Sequence, residues 1–308
     1  MALVSNQIVQ VKVESTSGTY EAPGSGDSIL CSNVTVTPTS ARMYDRDVIK
    51  GTLGGLQQIY AGSLMQVTFD IEIKGSGTAG TAPEADAVFQ MAGFAPTAVA
   101  STSVTYDPIS SGFNTCSIAV DLDGKLVKIK GAVANLDFSL TTGEVAMANV
   151  TATGRLESIT DGAVSGSSYD ATVPAALINV PFTIGGYGAV VNAISIGMNN
   201  AIALPPSIAD AEGYGQPRIT KRSVEGSFDP EQELVATASF DADWRSGDVK
   251  VLTTGGIGAA AGNITNFTCS YVHYRDVQTG DREGILTHDI PFGASENAGD
   301  DEISIAFT

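Results

Sequence analysis

The stretch Gln66–Lys74, Q-V-T-F-D-I-E-I-K, decides the fold because its side chains alternate strictly between polar and apolar. The apolar positions are Val67, Phe69, Ile71 and Ile73, and the polar positions are Gln66, Thr68, Asp70, Glu72 and Lys74. Successive side chains of a β-strand point to opposite faces of its sheet. The pattern therefore predicts a strand in a sheet with one buried and one exposed face, as antiparallel sheets have.

The same analysis predicts strands through most of the chain and a short helix in only two places. The predicted strands are Val9–Val13, Asn33–Thr37, Ser117–Asp121, Leu126–Lys130, Val133–Leu140, Val145–Leu156, Val249–Thr253, Ile264–Tyr274, Glu283–Pro291 and Glu302–Phe307. The predicted helices are Pro83–Phe94 and Asp229 to about Phe240, where proline and acidic residues stand at the start. The strand Val9–Val13 runs into Ser15–Asp27, which is rich in Gly, Ser and Pro, and together they predict an N-terminal arm rather than a core element.

Two pairs of short matches predict an internal duplication. Gly131–Ser139 (G-A-V-A-N-L-D-F-S) matches Gly262–Ser270 (G-N-I-T-N-F-T-C-S), and Pro83–Val88 matches Pro230–Val235. Each half also repeats the order strand, long loop, strand, short helix and further strands, which is how a duplicated unit reads in sequence. We therefore expect a first unit at residues 1–160 and a second at 161–308, joined through the Gly- and Ser-rich segment 158–174.

The long loop Pro38–Ser63 is expected to contact another subunit. Loops of this length inside a compact domain are usually functional or disordered. This one carries an unusual share of the few basic residues of the chain, beside acids: Arg42, Asp45, Arg46, Asp47 and Lys50.

Composition excludes several classes of function. The 308 residues carry 34 acids against 16 Lys and Arg, a net charge of −18, which argues against a surface that grips nucleic acid phosphates. A conduit along which DNA slides would benefit from such repulsion. Three widely spaced cysteines favour a reduced compartment. No apolar run reaches the roughly 18 residues of a membrane span, and no signal peptide is recognisable, so we expect a soluble protein made in the cytoplasm.

The sequence motifs that could indicate catalysis, nucleotide binding or metal binding are weak. Gly75–Gly80 spells G-x-G-x-x-G, but the strand before it alternates, whereas a central nucleotide-binding strand is nearly all apolar; a flexible turn is the better interpretation. His273 and His288 are the only histidines and are expected to be cross-strand neighbours. Acidic clusters at residues 241–248 and 300–302 lack the spacing of a calcium loop. We therefore expect no catalytic residue, no cofactor and no metal.

The chain resembles the tail tube (major tail) proteins of long-tailed bacteriophages. The matching segments are Gly18–Tyr20, the loop ending near Gly54-Gly55, the strand from Phe69 through Gly77-Thr78 to the helix Pro83–Gly93, the segment Arg218–Glu231 and the ending Gly299–Phe307. The resemblance covers most of the chain through loose motifs. It implies tandem units of β-sandwich or barrel-like form, each with a short flanking helix and long loops.

The resemblance also implies a structural role and no enzymatic activity. Subunits would form rings stacked into a hollow tube that passes DNA into the host without binding it specifically, and would contact other tail proteins in the virion. A single tube unit is about half this length, so three chains with pseudo-sixfold symmetry are favoured over six chains that each carry an appended domain. Acids proposed to line the lumen are Asp121, Asp123, Glu144 and Asp276, and Arg42, Asp45, Arg46, Asp47 and Lys50 are candidates for contacts between rings.

Two alternatives stay open from sequence. One is another phage structural protein, of baseplate or capsid, built from similar strands. The other is a secreted β-sandwich binding module, which the Thr, Gly and Ser content favours. The missing signal peptide and the single tryptophan, Trp244, count against a carbohydrate-binding module, because sugar-binding platforms rely on aromatic stacking.

Overall fold

The computed structural model describes Leu3 and residues 6–308. The described residues form mainly β-structure with two short α-helices, as predicted. The strands of the first half are β1 (Gln7–Val13), β2 (Ser28–Ile29), β3 (Cys31–Thr39), β4 (Met43–Tyr44), β5 (Ile59–Tyr60), β6 (Leu64–Glu72), β7 (Phe94–Val99), β8 (Ser103–Pro108), β9 (Cys116–Leu122), β10 (Lys125–Thr141) and β11 (Met147–Asp161). Those of the second half are β12 (Thr183–Ile184), β13 (Val191–Gly197), β14 (Ala201–Ala203), β15 (Arg218–Lys221), β16 (Glu225–Pro230), β17 (Lys250–Thr253), β18 (Thr265–Tyr274), β19 (Gln278–Arg282), β20 (Ile285–Ala294) and β21 (Ser304–Phe307). The helices are α1 (Asp86–Met91) and α2 (Phe240–Ser246).

Eight strands form one antiparallel sheet that runs through both halves of the chain. Its order is β3, β6, β11, β10, β13, β16, β20 and β19, and every neighbouring pair is antiparallel. We call it the main sheet. The two halves meet where Asp137–Thr141 of β10 pairs with Ala193–Gly197 of β13.

Both halves use the same strand order. In the first half the neighbours run β3, β6, β11, β10, β9, β1, and in the second they run β13, β16, β20, β18, β17, β12. Number the six strands of each series by their order along the chain, leaving out every strand that is not in the series. Each series then reads second, third, sixth, fifth, fourth, first. A helix lies between the third and fourth strands of each series.

The strand pairing does not follow the short sequence matches. Val133 of β10 lies opposite Thr153 of β11, and His273 of β18 lies opposite Gly293 of β20 in the same place of the second half. In the fifth and sixth strands, this alignment sets residues 140 positions apart as equivalent. On it, the match of Gly131 with Gly262 is nine residues out of register, so the short match and the strand pairing do not mark the same positions.

Gly262 has a packing reason of its own. The N–H of Gly77 donates to the Gly262 carbonyl at 3.0 Å, and a Cβ atom on Gly75 would collide with that carbonyl. The G-x-G-x-x-G segment is therefore a turn pressed against the second half of the chain, because only glycine allows this approach of two backbones. The expected turn is confirmed, but it is packed rather than free.

The second helix begins where the sequence predicts that it ends. Asp229 and Pro230 belong to β16, and α2 starts at Phe240. The Asp229 carboxylate accepts the N–H groups of Asn192 and Ala193, both at 2.8 Å, at a bulge in β13. The sequence Asp229-Pro230 resembles the start of a helix, but here the Asp229 carboxylate satisfies the N–H groups of a β-bulge. The first predicted helix is confirmed, although α1 is shorter than expected.

Lys74 is not on the exposed face predicted for it. It follows β6, is 5% exposed, and forms an ion pair with Glu84 at 3.2 Å. Its ammonium also donates to the Asp170 carbonyl at 2.8 Å. The alternation therefore ends with the strand, and the lysine is buried with a partner.

The predicted N-terminal arm is part of the body of the protein. β1 pairs with β9 along its full length, and Val9 and Val11 are buried. The segment that follows β1 is held in place by Glu14, which is 5% exposed. The Glu14 carboxylate accepts four hydrogen bonds of 2.6–2.8 Å, from the N–H groups of Gly18 and Gly131 and the hydroxyls of Thr115 and Ser117.

We predict that Glu14→Ala lowers the free energy of unfolding by about 3–5 kcal/mol, because four donors lose a buried charged acceptor. Glu21→Ala removes a half-exposed acid of the same segment that pairs with Lys12 near the surface; it is the matched control and should change stability little. Urea unfolding of the unassembled protein measures both. Equal effects of the two substitutions would contradict the role given to Glu14.

Candidate lumen-lining face

The two faces of the main sheet differ sharply in chemistry. One face packs into the hydrophobic core, through residues such as Phe69, Phe138, Val150, Ile196 and Phe292, and α1 and α2 contribute to the same core. The opposite face carries short polar side chains. From β3 to β20 they are Ser32, Thr35, Thr37, Gln66, Thr68, Asp70, Glu72, Asn149, Thr151, Asn135, Asp137, Ser139, Ser195, Glu225, Ser227, Asp229 and Asp289. We call this set the polar face; it includes six acids and no aromatic residue, and β19, the last strand of the sheet, adds Gln278 and Arg282 to the same side.

Amide side chains hold the acids in the centre of the polar face. Asp70 accepts hydrogen bonds from Asn33 and Asn149, each at 2.6 Å. Asn135 donates to Asp137 at 3.1 Å. Neutral partners leave the negative charge of these carboxylates uncompensated. Burial raises the pKa of Asp137, although the hydrogen bond from Asn135 opposes the shift.

Two arginines approach the polar face from the β18–β19 side. Arg275 lies 2.7 Å from Glu225, and Arg282 lies 3.1 Å from Asp229. Arg282 also contacts Glu231 at 2.9 Å. These cations are paired with acids, so the face as a whole stays acidic.

The predicted lumen acids lie apart from one another and outside the polar face. Asp121 is 5% exposed and accepts the N–H of Gly124 at 2.9 Å, which argues against a lumen role. Asp123 is half-buried in the β9–β10 turn, where hydrogen bonds from Leu3 and Asn6 lower its pKa.

The other two predicted acids sit at turns. Glu144 is exposed in the β10–β11 turn, at the far end of the 17-residue strand β10 from Asp123. Asp276 lies between β18 and β19, where its carboxylate accepts the N–H of Val277 at 2.9 Å. The sequence did carry a signal for the polar face, since the alternation of Gln66–Lys74 already places Asp70 and Glu72 together on an exposed side.

The predicted contact loop is anchored at its base and exposed at its tip. Arg42 lies over the Tyr214 ring, 3.9 Å from the centroid, and donates to the Gly213 carbonyl. Asp45 accepts a hydrogen bond from Gln58. Arg46, Asp47 and Lys50 are exposed further along the loop. Apolar side chains accompany them at the tip: Val48, Ile49 and Leu53.

The long loop of the second half lies beside this one. Tyr60 donates to Glu212 at 2.6 Å, and Tyr214 donates to the Ser40 carbonyl at 2.6 Å. Each loop joins the second and third strands of its half. Ile208 is fully exposed in the second loop. The two loops thus present apolar side chains at one end of the main sheet.

Among the described residues, no group of three or more His, Cys, Asp or Glu side chains is arranged to hold a metal ion. His273 contacts Ser295, with Nδ1 and Oγ 3.2 Å apart, and His288 packs against the ring of Phe240. No described helix has the length and apolar character needed to cross a membrane.

Comparison with known families accounts for this architecture. The family model described as phage tail tube protein matches residues 5–308. The chain belongs to the phage tail tube protein family. It is a structural protein of the phage tail and a component of the virion, as the sequence resemblance predicted. Membership implies that this tail tube protein self-assembles and contacts other tail proteins. Among curated proteins, none matches the chain.

We predict that Asp137→Asn stabilises the tail tube protein at neutral pH. Because the folded state raises the pKa of Asp137, the ionised form weakens folding, and stability falls as pH rises above the ordinary pKa of an aspartate through the raised one. The variant should melt higher than the wild type at pH 7 and equally at pH 3. Asp289→Asn, which changes another exposed acid of the same face, is the control. A lower melting temperature of Asp137→Asn at pH 7 would contradict the argument.

Proposed function

We propose that three chains form each ring of the tail tube, and that each chain supplies two fused tube units, residues 1–160 and 161–308. Residues 1, 2, 4 and 5 of the first unit lie outside the described residues. The observation that carries the proposal is the identical order of six strands in the two halves, with a helix at the same place. Chance would not be expected to give two such series in one chain, whereas duplication gives them directly.

Equivalent positions on the two halves have related chemistry, which supports the proposal. Phe69 and Phe228 each lie in the third strand, opposite Val150 and Ile290 of the sixth. That register makes Asp70 equivalent to Asp229. Both acids lie on the polar face and accept hydrogen bonds at the bulge of the second strand.

The dimensions of the main sheet fit a channel. Three chains would supply about 24 strands, which at about 4.8 Å per strand close into a barrel roughly 37 Å across between backbones, before strand tilt widens it. Barrels of about 16 strands already leave an aqueous channel. The core and helices cover one face of the sheet, so the polar face is the one that would line the channel.

The chemistry of the polar face suits DNA passage into the host without binding. Acids without free cations repel phosphates, and the absence of aromatic side chains from the set removes platforms on which bases stack. The acids we now assign to the lumen are those of the polar face, with Glu144 at its border. Asp123 and Asp276 are proposed to lie near the channel mouths, whereas Asp121 is buried and is not proposed to line the lumen.

The loop tips are proposed to join successive rings. Arg46, Asp47 and Lys50 offer charges, and Ile49 and Leu53 offer fully exposed apolar side chains. A contiguous apolar patch on a soluble chain is typical of a protein contact. Assembly of the tube would bury this patch, and no catalytic activity is part of the proposal.

The number of chains per ring is tested by electron microscopy of the purified protein under assembly conditions. We expect hollow tubes whose rings have threefold symmetry with a sixfold appearance at low resolution. Rings of six chains would be consistent with a tube-forming function but would contradict the proposal that each chain supplies two fused tube units. A protein that stays monomeric under every assembly condition would overturn the assembly proposal itself.

The lumen assignment is tested by placing a cation on the polar face. Tubes of Thr151→Lys should retain short duplex DNA in a sedimentation assay at low salt and release it at high salt, because phosphate contacts weaken as salt rises. Tubes of the wild type and of Thr151→Gln, a neutral control of similar length, should retain none. Equal retention by the lysine and glutamine variants would contradict an inward-facing polar face.

A further inference from the structure

The main sheet ends in two free edges. In the described part of the chain, β3 pairs only with β6, and β19 pairs only with β20. Exposed edges are liabilities that a protein either blocks or uses for pairing. The exposed residues of β3 are polar or proline, its two valines, Val34 and Val36, are half-buried, and it bears no charge.

The chain contains a template for the pairing of these two edges. At the junction of the halves, the fifth strand of the first half, β10, pairs with the second strand of the second half, β13. β19 continues the fifth strand of the second half along β20, and β3 is the second strand of the first half. The free edges are therefore the counterparts of two strands that already pair within the chain.

The register follows from the neighbouring strands. Asp137 lies opposite Asn149 in the first half, and Gln278 lies opposite Asp289 at the equivalent level of the second. On the other side of the seam, Ser195 lies opposite Ser227 in the second half, and Thr35 lies opposite Thr68 at the equivalent level of the first. Ser195 therefore corresponds to Thr35, and Gly197 corresponds to Thr37. Since Asp137 pairs with Gly197 within the chain, Gln278 is expected to pair with Thr37 between chains.

We propose that β19 of one chain pairs antiparallel with β3 of the next copy, with Gln278 opposite Thr37 and Thr279 opposite Val36. This pairing rests on the proposed ring of fused units and names the surfaces that close it. It would repeat three times around the ring, so that each seam between chains copies the β10–β13 seam within a chain.

Exposed apolar side chains at the ends of both edges support the pairing. Leu30 stands next to the start of β3, and Ile285 and Leu286 follow the turn after β19; each is 45–49% exposed. An antiparallel pairing in this register brings Leu30 to the same end as Ile285 and Leu286. Their burial would add apolar contact area to the backbone hydrogen bonds.

The seam between chains should be weaker than the one within a chain. In the internal seam, the N–H of Met198 donates to the Leu136 carbonyl at 2.9 Å. The counterpart of Met198 is Pro38, which has no N–H, so this bond is missing between chains. Tubes taken apart by mild denaturant should therefore release whole chains with the β10–β13 seam intact.

Disulfide trapping tests the register. In a Cys31→Ser background, Thr37→Cys with Gln278→Cys should give covalent trimers when tubes are oxidised, because directly opposed residues have the spacing that a disulfide needs. Val36→Cys with Gln278→Cys is the matched control, since adjacent side chains of β3 point to opposite faces; it should give none. Ser139→Cys with Ser195→Cys should close within one chain and reports on the geometry.

The outcomes separate this inference from the proposed function. Tubes that form and cross-link only through Thr37→Cys with Gln278→Cys support the pairing. Tubes that form but cross-link equally in the control pair, or not at all while Ser139→Cys with Ser195→Cys closes, overturn the β19–β3 seam and leave the tube intact. A wild-type chain that forms no tubes overturns the proposed function instead.

Discussion

The structure depends on the ladder between β10 and β13. Asp137–Thr141 and Ala193–Gly197 are the only described place where strands of the two halves pair within the main sheet, and they turn two four-stranded sets into one eight-stranded sheet. Phe138 and Ile196 face the core at this ladder, while Ser139 and Ser195 face the polar side. The ladder therefore fixes both the continuity of the core and the continuity of the polar face, on which the proposed channel depends.

Local patterns predicted the elements that depend on local physics. Strict alternation identified β6 and, through it, a sheet with one buried face, and proline with acids identified α1. The predicted start of the second helix was wrong because the Asp229 carboxylate binds the N–H groups of a bulge in another strand, which a sequence window does not reveal. Lys74 was assigned to the exposed face for the same reason: the groups that it contacts, Glu84 and the Asp170 carbonyl, lie outside the strand.

The short sequence matches do not mark the positions that the proposed duplication makes equivalent. Gly262 is a glycine because the Gly75–Thr78 backbone approaches it, and Gly131 donates to Glu14, so their likeness has two unrelated causes. If the halves arose by the proposed duplication, their side chains have changed more than their strand order, since many apolar residues fill a core but a change of register moves every side chain to the other face. The acids of the polar face, which we propose for the lumen, were not predicted from sequence because charge alone does not say which face of which strand bears it.

The most direct measurement is a helical reconstruction of assembled tubes by electron cryomicroscopy at a resolution that shows side chains. The account predicts that Asp70, Asn149 and Asp137 point into the channel and that α1 and α2 lie on the outer side of the sheet. A reconstruction with the helices toward the channel and the polar face toward the outside would contradict it.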